Sequence, residues 1–254
     1  MNGNSNNLII GSYFSEIFID PKKQIFVPKN DFNVIKKFYS KTKPFKWNSC
    51  DIRIFHDGLS KDFISRYSKK WIKFIYYDSL KHNMSQKDTL LLIALNFIKE
   101  NPQWENIFIL DTIKVKCITN PFNQIIDNPK CIFLANNEKK LANNVMFTSK
   151  LENINEFIKP NCLKDRPELN CDIIGGTRNM LIPFLEKIKD LLIRLSYSFN
   201  ESEFGNFSII HNSIAINFAS LSQDNILTDK PLFASNKYYQ INGNINDTLM
   251  FTYK

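Results

Sequence analysis

A chain of 254 residues with 43% hydrophobic side chains can bury one sizeable core, and no window is apolar for long enough to span a bilayer. Five cysteines with no C-x-x-C pair, one of them necessarily odd, argue against a disulfide framework or a zinc site and for a reducing compartment. The net charge of +8 comes from dispersed lysines, so a nucleic acid is not the expected partner, whereas a small anionic ligand is compatible with it.

The amino terminus MNGNSNNLIIGSYF lacks the basic start and long apolar run of a secretory signal, and a cytoplasmic protein is expected. Residues 1–20, polar and then mildly apolar, read as a terminal arm. Residues 21–218 read as the main domain and 219–254 as an extension packed on it. Gln24–Val27 has the form of a short strand, and Asn30 or Asp31 is placed to cap a helix to about Ser40. Asp51–His56 reads as a strand ending in His56, Asp57 and Gly58, followed by a helix near residues 61–68. Trp71–Asp78 reads as a third strand. Ser85 and Asp88 form a capping box before a helix rich in leucine, which Asn101-Pro102 ends.

Ile107–Leu110 is a continuous apolar run, as in a strand buried on both faces, and it leads straight into Asp111. A carboxylate at the carboxyl end of a strand in an open α/β sheet lies where such sheets bind ligands; the same residue can instead only cap the turn that follows. Cys131–Ala135 is a further strand, residues 139–168 read as helix and loop, and short strands are expected near 238–241 and 249–253. Asp172–Ile174 then reads as a strand feeding Gly175 and Gly176, with Thr177 capping a long helix whose apolar positions run from Leu181 to Leu195. Strand, glycines and helix start suit an anion, since glycine lets the backbone approach and the helix end presents free N–H groups; two glycines can equally mark a tight turn. The alternation of elements predicts an α/β protein with a mostly parallel central sheet flanked by helices.

The ordered set IFHDGLS (54–60), the Ser-x-x-Asp helix, IFILD (107–111), V-x-x-x-x-NPF (115–122), CIFLANN (131–137) and LNCDIIGGTRNML (169–181) resembles the small nucleotide-sugar glycosyltransferases of the A-type, Rossmann-like fold. The resemblance covers roughly residues 24–215, and NPF and IIGGT are its specific parts. It implies a single A-type domain, a UDP- or GDP-sugar donor, a glycan or protein acceptor, and a Mn²⁺ or Mg²⁺ ion held by aspartates. On that pattern His56, Asp57, Asp88, Asp111, Lys114, Gly175, Gly176 and Thr177 fall around the donor, Asp111 and His211 around the metal, and Asp172 and Glu203 where a catalytic base is needed.

The chain departs from the pattern at the same places. Lys114 stands where the family has its second aspartate, Leu90 where an arginine is usual, and Asp172 where a glycine is usual. Three outcomes follow. Asp111 alone, or with His211, holds the cation together with the diphosphate; Lys114 supplies the positive charge instead; or catalysis is lost and the chain only binds carbohydrate or a protein partner. His56 and His211 also have plain structural readings, as a turn histidine and a core histidine.

Overall fold

The structure, a computed structural model, describes residues 6–15, 30–41, 50–78, 85–113, 115–117, 120–140, 167–197, 219 and 251–253. In chain order the elements are β1 (Asn7–Tyr13), α1 (Asn33–Lys41), β2 (Cys50–His56), α2 (Lys61–Tyr67), β3 (Ile72–Tyr76), α3 (Gln86–Glu100), β4 (Asn106–Leu110), β5 (Val115–Cys117), α4 (Phe122–Asp127), β6 (Ile132–Lys140), β7 (Pro167–Thr177), α5 (Arg178–Tyr197) and β8 (Phe251–Tyr253). Six strands form one mixed sheet in the order β3-β2-β1-β4-β7-β6. The first four of these are mutually parallel, and β7 runs against both β4 and β6. The α/β class and the largely parallel sheet therefore stand, with one reversed strand that the alternation of elements did not announce.

The stretch read as a terminal arm is instead the middle of the sheet. Asn7–Tyr13 pairs with β2 on one side and β4 on the other, and Leu8, Ile9 and Ile10 are fully buried. Its short apolar run, bounded by an asparagine-rich start and broken by Gly11-Ser12, gave little periodicity to read. Gly11 has a steric reason: a Cβ there would lie 2.2 Å from the Thr112 methyl group. At the other end of the chain β8 pairs antiparallel with β5 in a separate two-stranded sheet.

α3 starts at the capping box expected for it, and α2 starts at a serine of the same kind. Ser60 Oγ accepts from the Phe63 N–H at 3.2 Å and starts α2; Ser85 Oγ accepts from the Asp88 N–H at 3.1 Å and starts α3. Asn120 Oδ1 accepts from the Phe122 N–H at 3.1 Å, which with Pro121 opens α4. Strand alternation sorts the helices onto the two faces of the sheet. A Cβ on Gly176 would approach the Leu181 side chain of α5, whereas one on the adjacent Gly175 would meet Phe108, which touches Phe122 of α4. So α5, with α3 packed on it, covers one face and α4 the other. Among the described residues no helix is long and apolar enough to cross a membrane. The expected strand at Gln24–Val27, most of 139–168 and the strand near 238–241 lie outside the described residues.

Candidate functional site

The parallel strands β3-β2-β1-β4 run in the order of the first four strands of a doubly wound α/β sheet. In such sheets ligands sit beyond the carboxyl ends of the strands where the order reverses, here between β1 and β4. A cleft opens there, lined by Ser12, Gln86, Lys87, Leu90, Leu91, Asp111 and Ile113. About 350 Å³ of non-atom space lies there, the open solvent at its mouth included.

Local hydrogen bonds hold the strand ends in place around it. Thr112, fully buried, donates from Oγ1 to the Ser12 carbonyl at 2.6 Å and so joins the end of β4 to β1. Gln86 Nε2 donates to the Phe14 carbonyl at 2.9 Å, tying the first turn of α3 to the same edge. Asp57 accepts from the Ser15 N–H, at 2.8 and 3.1 Å to its two oxygens, and from Ser15 Oγ at 3.0 Å.

Asp111 sits at the strand end as expected and does two things there. Its Oδ1 accepts from the Ile113 N–H at 3.0 Å, the turn-capping bond, and the residue also lines the cleft. Its own N–H donates to the Asp172 carbonyl at 3.0 Å, so the reversed strand β7 brings a second aspartate alongside. The Asp172 carboxylate, with a side chain only 9% exposed, is ion-paired to Lys87 Nζ. Lys87 is the residue that sequence reasoning passed over. A lysine at the second position of a helix carries no motif, and only the reversed strand shows what it faces.

The other expected residues divide. His56 is buried and accepts at Nδ1 from the Leu59 N–H at 3.2 Å, its ring meeting the edge of Tyr76. Burial pushes its pKa below the ordinary 6.5, the nearby Asp57 opposing, and the neutral ring is the form that can accept that bond. It therefore closes a turn beneath the edge, and Asp57 braces β1. Asp88, also buried, serves the cap of α3 through its N–H.

Gly175, Gly176 and Thr177 do not join Asp111 in one opening. The strand expected to stop at Ile174 continues through both glycines to Thr177, and Thr177 pairs with Asn106, at the far end of β4. Five residues of strand separate that level from Asp111, about 16 Å. The first N–H of α5, on Arg178, is already taken by the Glu105 carbonyl at 2.7 Å, and Thr177 Oγ1 donates to the Pro129 carbonyl at 2.9 Å instead of capping the helix. The glycines make room: a Cβ on Gly175 would lie 2.1 Å from the Phe108 ring, and one on Gly176 3.1 Å from the Cys131 carbonyl. The expected phosphate cradle is thus a packing site. Lys114, Glu203 and His211 lie outside the described residues.

A divalent ion in a nucleotide site is commonly held by one or two carboxylates, with phosphate oxygens and waters completing the shell. Asp111, half-exposed at the cleft, fits as one such ligand, whereas Asp172 is committed to Lys87. Among the described residues no group of three or more His, Cys, Asp or Glu side chains is placed to hold a metal by itself. No protein-family model matches the chain, and no curated protein matches it significantly.

Proposed function

We propose that this chain binds a nucleotide-activated sugar in the cleft between β1 and β4 and transfers the sugar to an acceptor hydroxyl, as an A-type glycosyltransferase would. The observation that carries the reading is that Asp111 and Lys87, one acid and one base, line a single cleft at the point where the strand order reverses. The order of sequence motifs supports it too. The glycine pair no longer does, since it lies away from the cleft. In the reaction the acceptor oxygen forms a bond to the anomeric carbon as the bond to the diphosphate breaks. The electron pair leaves on the phosphate oxygen, and the acceptor proton passes to a carboxylate. A divalent cation held by Asp111 would supply charge stabilisation for the leaving diphosphate. Lys87 offers the same kind of compensation from the protein itself.

One observation favours the second reading, a relative that binds without turnover. Asp111 spends one oxygen on its own turn, and Asp172 is held by Lys87.

Melting-temperature shifts with UDP- and GDP-sugars, in Mn²⁺ and in chelator, paired with detection of released or transferred sugar, separate the two. Ligand stabilisation grows with the ratio of concentration to Kd, so a panel at fixed concentration ranks the donors. Asp111→Asn keeps the acceptor for the Ile113 N–H while deleting the charge. It should melt with the wild-type protein and lose roughly tenfold or more in donor affinity. Stabilisation with no sugar released would establish the binding-only reading. A complete lack of stabilisation by any donor would overturn both.

A further inference from the structure

Lys87 is the only basic side chain among the described residues lining the cleft, and it reaches out of α3 to the nearly buried Asp172 on β7. Asp172 is also the backbone neighbour of Asp111, whose N–H donates to the Asp172 carbonyl. Among the described residues, Asp111, Asp172 and Lys87 are the charged groups joined at this cleft, and their formal sum is −1. Such a sum repels an incoming phosphate as long as Asp172 holds the lysine. The Lys87 side chain, 30% exposed on a flexible stem, needs only rotamer changes to turn from Asp172 into the cleft that it already borders.

We infer that Lys87 is the diphosphate-recognition residue of this cleft and that Asp172 is its internal counter-ion in the ligand-free state, exchanged for phosphate oxygens on binding. The inference rests on the reading of the cleft as a nucleotide-sugar site and names the ligand group that the protein contacts and the residue that does it. It also gives Asp172 a positioning role: by competing for the lysine it lowers affinity for free diphosphate and favours release after transfer.

The competition has a signature that a merely structural ion pair lacks. Removing the negative partner should tighten binding, whereas removing the positive one should weaken it. Calorimetry would follow inorganic pyrophosphate, UDP and GDP, in chelator and in Mg²⁺, on wild type, Asp172→Asn, Lys87→Gln and the double variant. Asp172→Asn should bind pyrophosphate about tenfold more tightly than wild type, and Lys87→Gln about tenfold more weakly. Lys87→Gln removes the ion-pair partner of a nearly buried carboxylate and can lower stability. The comparison of Asp172→Asn with the double variant therefore decides, because these two share a neutral residue 172 and differ only in the lysine. Equal pyrophosphate affinity in those two overturns the inference, as does weaker binding by Asp172→Asn than by wild type, or no binding by any variant. Lysine-dependent pyrophosphate binding with no sugar donor bound or turned over keeps the inference and removes the transferase reading. Sugar transfer unaltered in the double variant does the reverse.

Discussion

The two ends of the β4–β7 ladder are built from the same two strands and serve opposite purposes. At the end of β4, Asp111 and Asp172 lie side by side, Lys87 leans in from α3, and a cleft stays open. Toward the start of β4, Gly175 lies between Phe108 and Phe133 as their partner on either side. The two rings stand 6.1 Å apart, and Phe122 closes on Phe108 at 5.7 Å. The difference shows that a glycine pair before a helix is a phosphate site only if the helix begins at the ligand edge of the sheet. Reversing one strand moves that start to the other edge. The NPF and IIGGT segments, the most specific parts of the family resemblance, meet in this aromatic packing through Phe122, Phe108 and Gly175, not in the cleft.

The contrast can be broken most forcefully at Gly175. Gly175→Ala puts a methyl group inside the Phe108 ring volume and should cost about 3 kcal/mol in denaturant unfolding, the upper part of the range for overpacked cores. Gly175→Ala with Phe108→Leu should recover part of that loss. If Gly175→Ala unfolds like wild type while donor stabilisation disappears, the glycine belongs to the site after all.

Arg178 gives a smaller effect on the same side. Its guanidinium donates to the Ile98, Lys99 and Asn101 carbonyls and so closes the carboxyl end of α3, where a cation also suits the helix dipole. Arg178→Ala should lower stability by about 2 kcal/mol. It should leave pyrophosphate affinity within about twofold of wild type, because the start of α3, where Lys87 sits, is tied independently to β1 by Gln86.

The smallest effect is a pH dependence at the ligand edge. His56 has a folded pKa below its unfolded 6.5, so folding favours the neutral ring. Its contribution is complete above about 6.5 and declines as pH falls from there through the folded pKa, below which both states carry the proton. His56→Gln, which keeps an acceptor, should flatten that part of the stability profile, measured by urea unfolding across the acid range. A profile with the same slope in the variant would assign the loss to other groups.

Elements whose signals are local were legible before any coordinates. Ser60 and Ser85 cap helices through their own third neighbours, the run to Leu110 is uniformly apolar, and the α5 stripe repeats with the helical period. Asp111 was legible for the same reason, as the acid that ends a buried strand. Strand order, the reversal of β7 and the central place of Asn7–Tyr13 were not, because a strand's neighbours are chosen by packing across the whole chain and leave no periodic trace in its own residues. Hence the family pattern led to the wrong end of the ladder for Gly175, Gly176 and Thr177 and gave no hint of Lys87. The primary structure alone determined an α/β chain with an acid at the end of a buried strand. Only the tertiary arrangement decided which groups that acid faces, since the pairing of Lys87 with Asp172 joins residues 85 positions apart that meet only once β7 is laid antiparallel against β4.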